Sequence, residues 1–423
     1  MRLKSSIRRM LPRPLARRHY RRQALRYVDN LNIDIDPSRK TLLIINHYYD
    51  QDIRALELAE SEYNLVVIDG PRLFKGGRIY FSDDVMRLRA PYDGTPAAQR
   101  GKFHEYSRDI FERLIHRVPF SLIITASDNF WWVREFIEIG RERGVKTVVL
   151  DKEGTRSPYA VRGETERIRR LAPFMSDHIF VWSERQRKFW RDAGVSDKDI
   201  TVIGQPRSDL FFRECTNEID RFFPKSRPLI TFFSYEDTAY IPPAEVAPHG
   251  PSWREMKRET HDDVARMAAA HPEYNFVVKA HPQQSDLREL QSRYRRDNLV
   301  VIGGSSSANE LIRRSALIIA FQTTAVIEVM MLGKPVVYTA WDSHYPRFAS
   351  DLLPFHEAPG IVVADSLERF RDVCDRFLSG NAGDFQFSSD VIDARARFVY
   401  DYFHNPDGHV CERFFEKVGR FVA

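Results

Sequence analysis

The sequence predicts an α/β protein of two domains, each built on a parallel β-sheet. Three observations predict it. The chain has 423 residues, beyond the ~250–300 at which a single core usually stops growing. Short β-branched runs alternate with longer amphipathic stretches throughout. The alternation lapses near 213–228, in RECTNEIDRFFPKSRP, where charges mix with two prolines, and then restarts.

The strand candidates of the first half are 41–47, 64–70, 121–127, 147–151, 178–183 and 200–204. Those of the second half are 228–234, 275–282, 298–304, 316–322, 334–340 and 360–366. They are continuous apolar runs rather than alternating ones, as strands buried on both faces of a parallel sheet must be. Between them the spacing predicts helices such as 131–144, stopped by Gly144, and 183–194. The latter opens on Ser183 with Gln186 three residues on, a capping box, and stops at Gly194. The domain map that follows is an N-terminal arm at 1–28, a first domain at 29–213, a linker at 214–227, a second domain at 228–388 and C-terminal helices at 389–423.

Composition narrows the class. Cys215, Cys374 and Cys411 are too few and too scattered for a disulfide framework or a metal knuckle, which fits a reducing interior. No run approaches the ~18 apolar residues that span a bilayer, and the N-terminus lacks the apolar core of a secretory signal. The formal net charge of +5 is unevenly placed. Residues 1–28 hold ten Arg or Lys and no acid, so the rest of the chain stands at −5. Such an arm suits an anionic membrane surface, with Leu15, Leu25 and Tyr27 among its possible apolar anchors. No nucleic-acid motif accompanies it. The bland alternative is a solvated tail. The expected location is cytoplasmic, on the inner face of the membrane.

In open α/β sheets, ligands sit beyond the C-terminal ends of the strands. Three such ends in the second half are unusually polar. One strand delivers Lys279 and His281, with Pro282 forcing the exit; another runs into Ser305, Ser306 and Ser307. A third runs into Gln322, Thr323 and Thr324 ahead of a helical stretch carrying Glu328. A hydroxyl-rich turn before a helix offers free backbone N–H groups to a phosphate. Glu328, one turn inside, is placed to accept from ribose hydroxyls. The competing reading makes Thr323 a cap and Glu328 a solvated face residue.

The strings VVKAHP and AFQTTAVIEVMMLGKPVVY, with the Ser cluster between them, resemble the C-terminal half of bacterial surface-polysaccharide glycosyltransferases of the GT-B type. They are similar to capsule and lipopolysaccharide Kdo transferases, polysialyltransferase-like enzymes and CDP-glycerol glycerophosphotransferases. Upstream, Gly204, Pro206, Arg207 and Asp209 match that group's Gly-x-Pro-Arg-x-Asp signature. The resemblance implies two Rossmann-like domains with a cleft between them. It implies a nucleotide-activated donor (CMP-, CDP- or UDP-linked) held by the second domain through His281, Pro282, Ser305 to Ser307, Gln322, Thr323, Thr324 and Glu328, with Arg207. It also implies catalysis without a bound metal or other cofactor, and no paired acids of the metal-binding DxD kind stand at a strand end.

The first domain then takes a saccharide or lipid-linked acceptor. Asp151 and Glu153, before Gly154, resemble the acidic pair that supplies the general base in sialyltransferase-like enzymes, with Lys152 standing between them. Asp128, Asn129 and Trp131 after one strand, and His47 after another, are the acceptor candidates; core packing competes for the tryptophan. The function expected is transfer from a nucleotide-sugar in capsule or lipopolysaccharide synthesis. Its rivals are glycerophosphate transfer from CDP-glycerol, UDP-sugar 2-epimerisation, and a non-catalytic assembly role.

Overall fold

The computed structural model describes residues 12–47, 49–81, 97–152, 154–213, 218–223, 227–242, 245–247, 249–282, 284–303 and 308–422. Among these, the residues within 1–154, 163–209 and 409–423 group as one compact unit, and those within 155–162 and 210–408 as a second.

Each unit is organised on a six-stranded sheet in which every strand pair is parallel. In the first unit the strands are β1 (Thr41–Asn46), β2 (Asn64–Asp69), β3 (Leu122–Thr125), β4 (Lys146–Leu150), β5 (His178–Val181) and β6 (Ile200–Val202). Their order across the sheet is β2-β1-β3-β4-β5-β6. The second unit has β7 (Leu229–Phe233), β8 (Asn275–Lys279), β9 (Leu299–Ile302), β10 (Ser315–Ala320), β11 (Val336–Thr339) and β12 (Val362–Ala364), ordered β12-β11-β10-β7-β8-β9. That is the doubly wound Rossmann order read from β7. Ten of the twelve strands fall within the apolar runs of the sequence, and β4 and β10 each begin one residue earlier, at Lys146 and Ser315. β3 and β7 are buried along their whole length, each Val, Leu, Ile or Phe contributing roughly 1.5–3 kcal/mol on burial.

Two helices show how far local signals set their ends. Trp131–Glu142 stops ahead of Gly144, whose φ of +74° only glycine adopts cheaply. Glu184–Asp192 follows Ser183, but the serine side chain makes no cap hydrogen bond. The expected capping box does not form: Gln186 Oε1 instead accepts from the backbone N–H of Trp182, one residue before the cap. This turns Gln186 inward beneath β5.

The arm is not simply a solvated tail. From Arg13 to Asp29 it is a helix, with Pro14 tolerated in its first turn. Ala16, Ala24 and Val28 are buried on its inner face, and Gly76 lets the backbone approach so closely that a Cβ there would lie 2.6 Å from Tyr20 Cβ. Arg21 pairs with Asp109, and Arg113 Nε lies 2.6 Å from an Asp29 oxygen. Residues 1–11 lie outside the described residues. No helix among the described residues is long and apolar enough to cross a membrane.

The stretch after 388 divides between the units. Ser389–Phe403 belongs with the second, and Val410–Val418 with the first. The latter helix is held by Asp209, whose carboxylate is fully buried and accepts from the N–H groups of Val410 at 3.1 Å and Cys411 at 2.8 Å. Two donors that a helix start leaves free are thereby satisfied. Replacing Asp209 with Ala leaves them buried and unpaired, so stability should fall by about 1–3 kcal/mol. The urea midpoint measures it, and Asp209→Asn, which keeps one acceptor oxygen, should recover part of the loss.

Candidate functional site

In the second unit the strand order reverses between β7 and β10, the crevice where ligands bind in such sheets. Ser234 follows β7, and Gln322, Thr323 and Thr324 follow β10. His281 and Pro282 follow β8, on the other side of β7. At ~4.8 Å per strand, β8 and β10 are about 10 Å apart, a span two linked phosphates can bridge.

His281 is exposed, while the turn that carries it is fixed from below. Gln284 Oε1 accepts from the His281 N–H at 3.0 Å, and Gln284 Nε2 donates to Ser234 Oγ at 3.1 Å. Ser234 Oγ lies 3.2 Å from His261 Nε2, and His261 Nδ1 is 2.7 Å from the Lys257 carbonyl. A carbonyl only accepts, so Nδ1 carries the proton and Nε2 accepts from the serine. Lys257, itself buried, donates to Asp237 at 2.9 Å and to Asp286 at 2.7 Å, tying the loop after β7 to the loop after β8. Burial works against ionisation of Asp237, but hydrogen bonds from Lys257 and Arg254 hold its carboxyl below the ordinary value.

The turn after β10 has two characters. Thr323 and Thr324 are half-buried, and Thr323 Oγ1 accepts from the Ala325 N–H at 3.3 Å. The helix they precede, Ala325–Met331, buries Glu328, so the carboxylate is no solvated face residue. Gln322 sits at φ +46°, and its amide is spent inside the fold. Nε2 donates to Tyr338 Oη at 2.6 Å and to the Leu353 carbonyl at 2.8 Å, while Oε1 accepts from the Leu353 N–H at 2.9 Å. It shapes the crevice rather than facing a ligand. Ser305, Ser306 and Ser307 lie outside the described residues. Lys279, at the end of β8, is buried, and burial pushes its ammonium down to about 8.

The candidates of the first unit mostly turn inward. Asp151 is buried, and its Oδ2 accepts from Trp190 Nε1 at 2.6 Å and Gln186 Nε2 at 3.3 Å. Asp128 is fully buried, its Oδ2 accepting from the N–H groups of Met175 at 2.8 Å and Ser176 at 3.0 Å, and burial raises its pKa. Asp151 is thereby tied to the helix Glu184–Asp192, and Asp128 to the backbone just before β5. Trp131 packs against Phe81 and Phe103, with ring centroids 5.2 Å away in each case, so core packing claims it. Asn129 remains half-buried beyond β3, its N–H donating to Ser127 Oγ at 3.1 Å. His47 lies edge-on to Phe130 at 4.3 Å and Trp132 at 5.1 Å. Burial first, then the charge of Lys152, pulls its pKa down to about 4.

Arg207, read from sequence as a donor ligand, is placed in the first unit. Its N–H donates to Asp52 Oδ1 at 3.2 Å, and its Nη1 lies 3.9 Å from Asp52 Oδ2. The guanidinium sits over the Trp182 ring at 4.9 Å, and the Gln205 carboxamide oxygen accepts from it at 3.0 and 3.1 Å. That indole also abuts Gly154, where a Cβ would fall 1.5 Å from Trp182 Cε3. Asp52, Arg207 and Trp182 therefore form one support beneath Gly154. Asp52 was not visible as a functional residue in the sequence, since its partner is 155 positions away. Glu153 lies outside the described residues.

The family model for CDP-Glycerol:Poly(glycerophosphate) glycerophosphotransferase matches residues 143–419, about two thirds of the chain. The chain belongs to that family. The matched span takes in Asp151, Arg207, His281 and the Thr323–Thr324 turn, whereas His47, Asp128, Asn129 and Trp131 precede it. No curated protein matches the sequence. Solved structures with the same fold include the wall teichoic acid polymerase TagF (TM-score 0.54, 11% identity, covering 99% of this chain and 96% of that one). UDP-GlcNAc 2-epimerase from Neisseria meningitidis bound to UDP-GlcNAc is another (TM-score 0.52, 13% identity, 90% and 100%). A third is the S. aureus MnaA–UDP co-structure (TM-score 0.51, 14% identity, 91% and 98%). The GT-B-like class of two Rossmann-like domains is thus shared with these proteins, and the chain is a transferase by family.

Burial depresses three histidines in this family member, His47, His178 and His261, each to about 4. Between their ordinary pKa of about 6.5 and 4, the unfolded chain binds more protons than the folded one. Stability should therefore be lost as pH falls through that window. Urea midpoints at pH 7 and pH 5 measure the slope, which should be shallower in His261→Gln.

Proposed function

We propose that the chain transfers a polyol-phosphate or sugar group from a cytidine-diphosphate donor to a hydroxyl of a bacterial surface polymer, with capsule and lipopolysaccharide among the candidate polymers. The carrying observation is the family match over 143–419, which contains the polar strand ends of β8 and β10 in the second unit. In this reading His281 donates to a donor phosphate oxygen, the Thr323–Thr324 turn lies alongside, and Glu328 meets the ribose. For glycerophosphate transfer, the acceptor oxygen forms a bond to the donor's outer phosphorus. The bond from that phosphorus to the bridging oxygen breaks, and CMP leaves with the electron pair. The hydroxyl proton passes to a carboxylate, for which Glu153 is the proposed base. Asp151 does not share that role, because Trp190 and Gln186 occupy its carboxylate.

The proposal includes no metal ion. Among the described residues the one cluster with metal-ligand spacing is His104, Glu135 and Glu138. There His104 Nδ1 already donates to Glu135 at 2.7 Å, and Arg108 Nη2 lies 2.8 Å from the other ring nitrogen. The helices bearing that cluster are remote in sequence from the donor-side strand ends.

We also infer attachment to the inner face of the membrane through the N-terminal helix. It exposes Arg13, Arg18, Arg22 and Arg26, with Leu15 at 53% exposure. The wild-type chain should sediment with anionic vesicles and not with neutral ones.

CDP should raise the melting temperature more than UDP or GDP, since a ligand of the folded state stabilises by mass action; preference for UDP would favour the epimerase reading. His281→Ala should weaken CDP binding roughly 10- to 150-fold by calorimetry, the loss of one charge-assisted hydrogen bond. Glu153→Gln should reduce turnover about 10²- to 10⁴-fold with donor affinity kept, and turnover should survive EDTA.

A further inference from the structure

Between the N-terminal helix and the segment that follows β2 lies a cavity of about 450 Å³. Its wall holds two guanidinium groups, Arg26 and Arg72, the carboxamides of Gln23 and Asn30, and the phenols of Tyr20 and Tyr27, and no Asp or Glu lines it. Neither guanidinium has an ion-pair partner among the described residues. Arg72 lies over the Tyr27 ring at 4.5 Å. The acid next in sequence, Asp69, is turned to the backbone, its Oδ1 accepting from the Arg72 N–H at 2.9 Å. Tyr27 Oη accepts from the Asp69 N–H at 2.9 Å, which leaves its own O–H to donate. The wall therefore carries two guanidiniums and no carboxylate, beside carboxamides and phenols that can both donate and accept. By contrast, a larger hollow in the same unit, about 1000 Å³, is lined by Asp34, Glu57, Glu60, Glu62, Glu412 and Glu416 against a single arginine. The cationic lining of the smaller cavity is a local feature.

We propose that this cavity binds the phosphodiester headgroup of an anionic phospholipid, of the phosphatidylglycerol kind. Guanidinium forks match phosphate oxygens in pairs, and the carboxamides and phenols suit the hydroxyls of a polyol. The bilayer is the source because of what surrounds the cavity. Arg18, Arg22 and Arg26 recur every four residues, so they form one stripe along the helix that ends at the cavity wall, and Leu15 lies exposed one turn before it. A free phosphate would need the cavity and not the stripe. This rests on the membrane reading above and adds a specific headgroup site to it.

Vesicle sedimentation of the full chain at fixed ionic strength tests it, with phosphatidylcholine vesicles carrying 0 or roughly a third phosphatidylglycerol. Two double variants remove equal charge: Arg26→Gln/Arg72→Gln from the cavity, and Arg18→Gln/Arg22→Gln from the stripe. Loss of two surface charges alone weakens binding about 30-fold. The stripe variant should show that loss, and the cavity variant at least tenfold more. Equal losses would overturn the headgroup site while leaving the membrane reading intact; no binding by the wild-type chain would remove both. Asn30→Asp, at an exposed helix end, puts a carboxylate into the wall at the cost of one hydrogen bond, from Asn30 Nδ2 to the Arg26 carbonyl. It should weaken binding as well, and wild-type affinity there would count against the site. Millimolar glycerol phosphate should not displace the wild-type chain from vesicles; displacement would make free phosphate the ligand and overturn the bilayer assignment.

Discussion

Parallel pairing puts the C-terminal ends of all strands in a sheet on one edge, and the candidate chemistry of this chain depends on that alignment. His281 is more than forty residues from Thr323 and Thr324 in sequence, yet they share an edge because β8, β7 and β10 run side by side in the same direction. The crossover helices that make such pairing possible also cover both faces of the sheet. The strands can then be wholly apolar, and polar residues are driven to the strand ends. The crevice between β7 and β10 exists because chain order reverses there.

The buried polar residues are mostly spent on fixing loops. Lys257 between Asp237 and Asp286, Asp209 beneath the helix Val410–Val418, and Asp151 against Trp190 all hold irregular backbone in place. Such contacts add little net stability, because desolvation offsets much of the attraction, but removing one partner strands the other. Their effect is to narrow the geometry that the exposed groups can adopt. The turn bearing His281 shows this: an exposed side chain stands on a backbone pinned through Gln284, Ser234 and His261. Asp52 under Arg207, and the indole of Trp182 against Gly154, fix Gly154 in the same way.

Charge is divided along the chain with a physical consequence. The ten basic residues of 1–28 offset a body of formal charge −5. From Arg13 onward they are carried on a helix that buries its alanines and a valine and exposes most of its arginines. The rigid mounting matters, because a flexible basic tail attracts anions without arranging them, whereas a docked helix presents guanidiniums at a fixed spacing.

By itself the sequence determined the two parallel sheets, the run of every strand and the strand ends at which polar residues gather, because continuous apolar stretches and the glycines after helices are local signals. It also located the His281–Pro282 and Thr323–Thr324 turns, since proline and paired hydroxyls after a buried strand are visible in one dimension. What a carboxylate or an amide does there was decided by tertiary structure alone. Asp151 and Asp128 look like reactive acids until Trp190 and the Met175–Ser176 backbone are seen to occupy them. Gln322 looks like a ligand until Leu353 and Tyr338 take its amide, and Arg207 proves to be fixed through Asp52 in the first unit. In each case the deciding partner lies far away in the chain. A buried polar group must find a partner wherever the fold supplies one, and local pattern carries no record of where that is.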